Sequence, residues 1–366
     1  MKSVLHLFII WYNARAWKEQ IISDITNGLE IVKTIEVEWS NKKFAENLTR
    51  FYGTKLPRGS FKEKSCGKGP FTLVIVKDNN PIYEPRRTTR GRDEIVNINL
   101  FDRKMKYRGW INENNSKIHA TNNPEETLHD LTLLLGVTPD EFLLKCNEIP
   151  DEWKFDIVGS NGWESLQQMF KILNATIPYV VLRNYEYLPQ QYKSQEHGDI
   201  DILVNNAGDV VYILKAKKVF RQKYRVHYEC DIASEKVRFD FRSVNDNYYC
   251  SEWEKDILDN RVLSEKGFYI PDNENYKYSL LYHAVVQKKK VSEEYSKKLE
   301  PYFGTENYVK QLNEYMQSKG YSYSEPDDFS VYYNTEVTGT ELSEQRKKHI
   351  KKIEAKIKIR KLLFRK

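Results

Sequence analysis

The chain has 366 residues, enough for two ordinary domains with extensions. Hydrophobic residues make up 40% of it and the mean hydropathy is −0.69, the composition of a soluble globular protein; no apolar run reaches the ~18 residues of a membrane-crossing helix. The net charge of +6 is uneven: positions 346–366 carry eleven Lys or Arg against one acid, Glu354, so the rest of the chain is slightly acidic and general nucleic-acid binding is not expected of it.

Residues 1–11 superficially resemble an export signal. The run is short, lacks a small-residue cleavage site and passes straight into polar sequence, so 5–11 is read as a buried strand. Residues 14–27 are a helix candidate and 29–39 a second strand. Phe71 to Val76 is an apolar strand closed by the turn Asp78-Asn79-Asn80-Pro81. Asn123 is placed to cap a helix with Pro124 at its first position and Glu126 at capping-box spacing. Leu128, Leu131, Leu134 and Leu135 form its apolar stripe, and Gly136 ends it. Thr138-Pro139-Asp140-Glu141 starts another helix by the same device. Strands alternating with helices predict an α+β sandwich over 1–147.

His119 lies just before the capped helix, in Lys117-Ile118-His119-Ala120-Thr121-Asn122. With Gly69-Pro70-Phe71-Thr72 and Arg108-Gly109, this segment is similar to the nucleoside diphosphate kinases, in which a histidine in a His-Gly-Ser-Asp context is phosphorylated. The resemblance spans most of 3–136. It implies a ferredoxin-like fold for 1–147 and a phosphoryl site at His119 with Arg108. The chain departs from the family at Trp11-Tyr12-Asn13, where Lys-Pro-Asp is absent, and at Asn122, where the family has aspartate. The fold is therefore expected and kinase chemistry is not; a helix-entry histidine without chemistry is the alternative. Arg86, Arg87, Arg90, Arg92, Arg103 and Arg108, with Lys104 and Lys106, form either a solvated charged surface or a patch for a phosphorylated substrate. Cys66, Cys146, Cys230 and Cys250 are far apart and form no metal-type pair, so reduced thiols in a cytoplasmic protein are expected.

The stretch 147–162, rich in Pro, Gly and acids, reads as a linker. A second domain is expected over 155–325. It begins with a helical pattern over 162–173 and a strand at 179–184. Then comes Glu196-His197-Gly198-Asp199-Ile200-Asp201-Ile202-Leu203-Val204. On a strand, Asp199 and Asp201 share one face while Ile200 and Ile202 share the other. Neighbouring carboxylates repel unless a cation sits between them, and Mg²⁺ takes carboxylate oxygens and completes its shell with water and phosphates. Gly198 allows a sharp turn or a close phosphate. Tyr224 to Cys230 and Lys236 to Arg242 read as a hairpin that places Asp240 between two phenylalanines. A buried acid needs a partner. It is either a metal shared with Asp199 and Asp201, or Arg238 or Arg242 on its own face.

This order, helix, strand, Asp-x-Asp strand and third acid, resembles the polymerase-β-type nucleotidyltransferase fold over roughly 163–299. The fukutin-like and Lic-type phosphotransferases share that fold. The resemblance implies Mg²⁺ (or Mn²⁺) held by Asp199, Asp201 and Asp240, with Asp240 also a base for an acceptor hydroxyl. It implies a nucleotide or nucleotide-activated donor, and a sugar or alcohol acceptor in cell-surface polysaccharide biosynthesis. The family's Gly-Ser pair is replaced by Arg183-Asn184-Tyr185, so Arg183 and Asn184 are expected at the donor phosphate. A helix over 276–290 carries His283 and Lys288; Lys288, Lys289 and Lys290 either meet phosphate or form a run that points to water. Two other readings stand: a nucleotidyltransferase acting on a small molecule or RNA end, and a non-catalytic nucleotide- or glycan-binding protein. The tail, 326–366, ends in a basic helix with Ile350, Ile353 and Ile357 at helical spacing and Leu362, Leu363 and Phe364 at its close. It fits either an anionic membrane surface, which would make the protein membrane-peripheral, or packing on its own chain.

Overall fold

The computed structural model describes residues 3–88, 91–111, 117–192, 198–222, 226–305 and 307–363, with side chains described as far as residue 356. Arg90, Glu196, His197, Tyr224 and Arg225, and the side chains of Ile357, Leu362, Leu363 and Phe364, lie outside the described residues. The fold is α+β with mixed sheets. One compact unit comprises Met1–Ile177 and Val211–Lys215, the other Pro178–Val210 and Ala216–Lys366.

The first unit contains β1 (Val4–Ile10), β2 (Glu30–Val37), β3 (Phe71–Asp78), β4 (Tyr83–Arg87), β5 (Asp93–Asn97), β6 (Ile118–Ala120) and β7 (Glu152–Trp153). Its helices are α1 (Lys18–Ile25), α2 (Phe44–Tyr52), α3 (Phe61–Cys66), α4 (Ile98–Trp110), α5 (Pro124–Leu135), α6 (Pro139–Lys145) and α7 (Leu166–Thr176). The main sheet runs β6-β1-β3-β2-β7, antiparallel except where β7 joins β2. Phe8, Ile10, Val74 and Val76 face α1 and α4, because alternate residues on these strands are apolar and share one side. Trp11 closes the end of β1 against Phe71, Trp39, Phe44 and Phe51.

The capping signals translate directly. Asn123 Oδ1 accepts from Glu126 N at 2.8 Å, Gly136 ends α5 in the left-handed region, and Thr138 with Glu141 forms a complete capping box. The helix expected over 14–27 is shorter: a 3-10 turn at Tyr12–Trp17 precedes α1. The expected linker is built into this unit. Arg50, 1% exposed, donates to Val158 O, Ser160 Oγ and Ile213 O, and Asp156 accepts from Ser40 and Asn47. A guanidinium with five donors can satisfy several carbonyls of an irregular segment at once.

The second unit contains β8 (Tyr179–Val181), β9 (Asp199–Val204), β10 (Lys217–Lys218), β11 (His227–Ile232) and β12 (Glu235–Ser243) in the order β10-β11-β12-β9-β8. Only β9 and β12 pair in parallel. Of α8 (Ala207–Leu214), the first turn belongs here. The remaining helices are α9 (Ser251–Asp259), α10 (Asn273–Val286), α11 (Glu293–Phe303), α12 (Tyr308–Lys319), α13 (Thr335–Thr338) and α14 (Glu344–Leu363). The sheet's inner face and α9, α10 and α12 bury Val180, Leu203, Trp253, Leu281 and Tyr282. Tyrosine does much of the filling: Tyr248, Tyr249, Tyr282, Tyr315 and Tyr333 are all buried, and Tyr278 stacks on Tyr315 at 3.6 Å. The helix expected over 276–290 ends at Val286, so Lys288 lies in the segment after it. No described helix is long and apolar enough to cross a membrane.

Candidate active site

The Asp-x-Asp strand is β9, and everything but Asp199 in it is buried. Its register does the assembling. Asp201 pairs with Asp240 on β12, and Asp240 pairs with His227 on β11. Paired residues on adjacent strands point the same way, so His227, Asp240 and Asp201 form one row across the sheet. Asp199, two residues before Asp201, joins them on that face. Ile200, Ile202, Phe239 and Phe241 go to the other side and are buried.

Two arginines bracket the acids. Leu182 N donates to Asp201 O, which brings the next residue over the strand, and Arg183 Nη2 meets Asp201 Oδ1 at 2.9 Å and Tyr248 Oη at 2.5 Å. Arg242 lies 3.4 Å from both Asp240 and Asp328, with its guanidinium 4.2 Å above the Tyr248 ring. Burial works against the charge of each arginine, and the acids and tyrosines around them more than offset it. Asp240 is itself buried. Burial, then the neighbouring Asp201 charge, holds its carboxyl up to about 7, with Arg242 pulling the other way. His283, buried on α10 and then disfavoured by Arg183 and Lys288, is kept neutral and bonds Tyr248 Oη and Gln287.

These groups line a cavity of about 430 Å³. Asp199, Asp201, His227 and Asp240 form one wall; Lys288, Lys289, Ser330 and Tyr332 contribute to the rest. Asp199, His227 and Asp240 each present a ligand atom within 4.8 Å of the others. Asp240 Oδ1 is buried and has no hydrogen-bond partner among the described residues. Oxygen and imidazole donors and an orphaned carboxylate oxygen fit a divalent cation.

The residues singled out from sequence fall as follows. Asp199, Asp201, Asp240, Arg183, Asn184 and Lys288 all line this cavity. Asn184 adopts φ 56°, a left-handed conformation that asparagine tolerates, and its Oδ1 accepts from Lys298 on α11 at 2.9 Å. Gly198 precedes β9, is exposed, has no left-handed φ, and a Cβ there would meet open space, so no turn geometry demands glycine. Of the two arginines offered as partners for Asp240, Arg242 reaches it and Arg238 is exposed. His227 was passed over in the sequence reading. It lay in the recognised hairpin, and counting back from the two-residue turn places it opposite Asp240.

His119 and Arg108 belong to the first unit. His119 Nε2 bonds Asp130 Oδ2 at 2.6 Å, and His129 holds the other oxygen at 2.9 Å. Arg108 donates to Ile118 O, and Lys104 to Ala120 O and Asn122 Oδ1. All three lie on a cavity of about 370 Å³. Burial, then Arg108, brings Lys104 down to about 8. Comparison of the chain with protein-family models and with curated proteins returns no match.

Proposed function

We propose that the chain is a metal-dependent transferase that moves a phosphate-containing or nucleotidyl group from a nucleotide or nucleotide-activated donor to a sugar or alcohol hydroxyl. One observation carries the reading. Register alone brings Asp199, Asp201 and Asp240 to one face of a mixed sheet, inside a cavity that also holds Arg183, Lys288 and Lys289. The parallel β9–β12 pair flanked by antiparallel strands supports the nucleotidyltransferase-like fold. In the first unit, the chain order β1-α1-β2-β3-α4-β6 with spatial order β6-β1-β3-β2 supports the ferredoxin-like one. The assignment to glycan assembly rests on the sequence resemblance.

The ligands of a divalent cation, Mg²⁺ or Mn²⁺, would be drawn from Asp199, Asp201, Asp240 and His227. Such a cation neutralises phosphate charge and aligns the attacking and leaving oxygens. Arg183 Nη1, buried and without a hydrogen-bond partner among the described residues, is the donor left for a phosphate oxygen once Nη2 is committed to Asp201. Lys288 and Lys289 add positive charge at the opening. The proton of the acceptor hydroxyl would pass to a carboxylate of this cluster, Asp240 being the base that the sequence resemblance implies. The Arg183–Asp201 ion pair favours a second reading, a binding protein whose acids are structural.

The test offers labelled nucleoside triphosphates and nucleotide-activated alcohols with Mg²⁺ or Mn²⁺ and a panel of sugar acceptors. Pyrophosphate release identifies a triphosphate donor, and nucleoside monophosphate release an activated alcohol. Turnover lost in a folded Asp199→Asn variant supports the transferase. Nucleotide binding without turnover, unchanged by Asp199→Asn, leaves the binding protein.

A further inference from the structure

The acids that the Asp-x-Asp pattern pairs are not equivalent in the folded chain. Asp201 Oδ1 is held by Arg183 at 2.9 Å, and both side chains are nearly withdrawn from water. A cation drawing on Asp201 competes with a buried guanidinium that has no second carboxylate partner among the described residues. Asp199 is half-exposed at the start of β9. Asp240 engages Arg242 only at 3.4 Å and through Oδ2, while Oδ1 is buried on the side of His227. His227 Nε2 is 3.7 Å from that oxygen, too far for a hydrogen bond. Opposite ligands of an ion with ~2.1 Å bonds stand ~4.2 Å apart. Three atoms all within 4.8 Å of one another lie no more than about 2.8 Å from a common centre, so each needs to move by about 0.7 Å or less to close on one ion. Phe220 packs edge-on against the His227 ring at 5.3 Å and holds its plane.

The geometry points to a cation site built from Asp199, His227 and Asp240, with Asp201 serving Arg183 instead, and to a transition-metal dication, Mn²⁺ rather than Mg²⁺, as its occupant. The metal preference follows from the nitrogen. Mg²⁺ takes oxygen ligands and keeps its waters, whereas imidazole suits transition metals and carboxylates suit Mn²⁺ as well. One imidazole with two carboxylates is a set Mn²⁺ accepts and Mg²⁺ does not favour. Arg183, spared competition with the ion, then stays fixed by Asp201. This rests on reading the same cavity as a metal-dependent transferase site, but its test does not need turnover.

The experiment titrates full-length protein with Mn²⁺ and follows free Mn²⁺ by electron paramagnetic resonance, with Mg²⁺ as competitor. One site is expected, with Mn²⁺ at least tenfold tighter than Mg²⁺. His227→Gln and Asp240→Asn each weaken it tenfold or more, and Asp201→Asn by less than threefold. Pulsed resonance of the unmodified Mn²⁺ protein should show coupling to one imidazole nitrogen, a readout that survives any variant failing to fold. Absence of that coupling, loss of the site in Asp201→Asn with retention in His227→Gln, or no Mn²⁺ site at all overturns the inference. A nitrogen-coupled Mn²⁺ site in a protein that turns over no donor removes the transferase and leaves the site. Turnover with Mg²⁺ and no such site does the reverse.

Discussion

Arg183 and Asp201 form an ion pair 2.9 Å long between two side chains that are 6% and 11% exposed. Removing one member strands the other as a buried charge, which costs ~3–5 kcal/mol, whereas removing both costs far less. Arg183→Met should therefore destabilise the protein by ~3–5 kcal/mol in urea unfolding, and Arg183→Met with Asp201→Asn should recover most of the loss. Additive losses in the double variant would show that the two residues act independently.

The Asp240 carboxyl sits near 7 in the cation-free protein because it is buried, and then because Asp201 is beside it. In the unfolded chain it titrates as an ordinary acid. The folded state thus holds a proton that the unfolded state releases, and Asp240's contribution to stability falls as pH rises from ~4 to ~7, by at most ~1.4 kcal/mol per pH unit. Buried His6, brought down to about 4 by burial, acts the opposite way between ~4 and ~6.5. The difference between the parent and Asp240→Asn isolates the acid. In chelator, the variant should gain stability relative to the parent steadily from pH 4 to pH 7. A pH-independent difference would refute the assignment.

Asp130 is buried and holds an imidazole on each oxygen, His119 and His129. Burial opposes its charge and the two histidines more than offset that. His119→Asn should cost ~1–3 kcal/mol by leaving a buried acceptor poorly satisfied, measured by thermal unfolding. Incubation of the parent with ATP should give no acid-labile phosphohistidine, since Lys104 and Arg108 already donate to backbone and amide oxygens. Labelling that vanishes in His119→Asn would establish the phosphoryl site instead.

The basic helix α14 is anchored at its start. Arg346 is 3% exposed, donates to Pro326 O and Val331 O, and pairs with Glu325. Beyond it Ile350 and Ile353 are exposed among lysines. Each Lys or Arg near an anionic bilayer is worth ~1 kcal/mol at low salt. The full chain should pellet with anionic but not neutral vesicles, and be released at ~0.5 M salt by screening. A chain ending at His349 keeps Arg346 and should stay folded but no longer pellet. Failure of the full chain to pellet makes the tail structural.

Local signals carried well from sequence to structure. The caps at Asn123 and Thr138 act within four residues, so spacing alone locates the helices they start. Alternation located β9 and the β11–β12 hairpin, and with them three of the acids. What stayed hidden is non-local. That Asp201 is claimed by Arg183, and that α7 packs on α5 within the first unit, depends on partners distant in sequence. The end of α10 at Val286 was hidden for another reason: no glycine or proline marks it, so apolar spacing ran on into the lysines.

The turn between β11 and β12 consists of Ala233 and Ser234, both with positive φ (48° and 66°), which matches the two-residue turns that suit the twist of a hairpin. It acts as a ruler. Its length alone sets which residue of β11 stands beside Asp240. One residue added there would slide Val226 or Tyr228 into the place of His227 and turn alternate side chains to the opposite face. Composition would barely change and every acid would remain, yet His227 would no longer stand in one row with Asp240 and Asp201. The length of that turn thus governs the row more strictly than the identity of the two residues that form it.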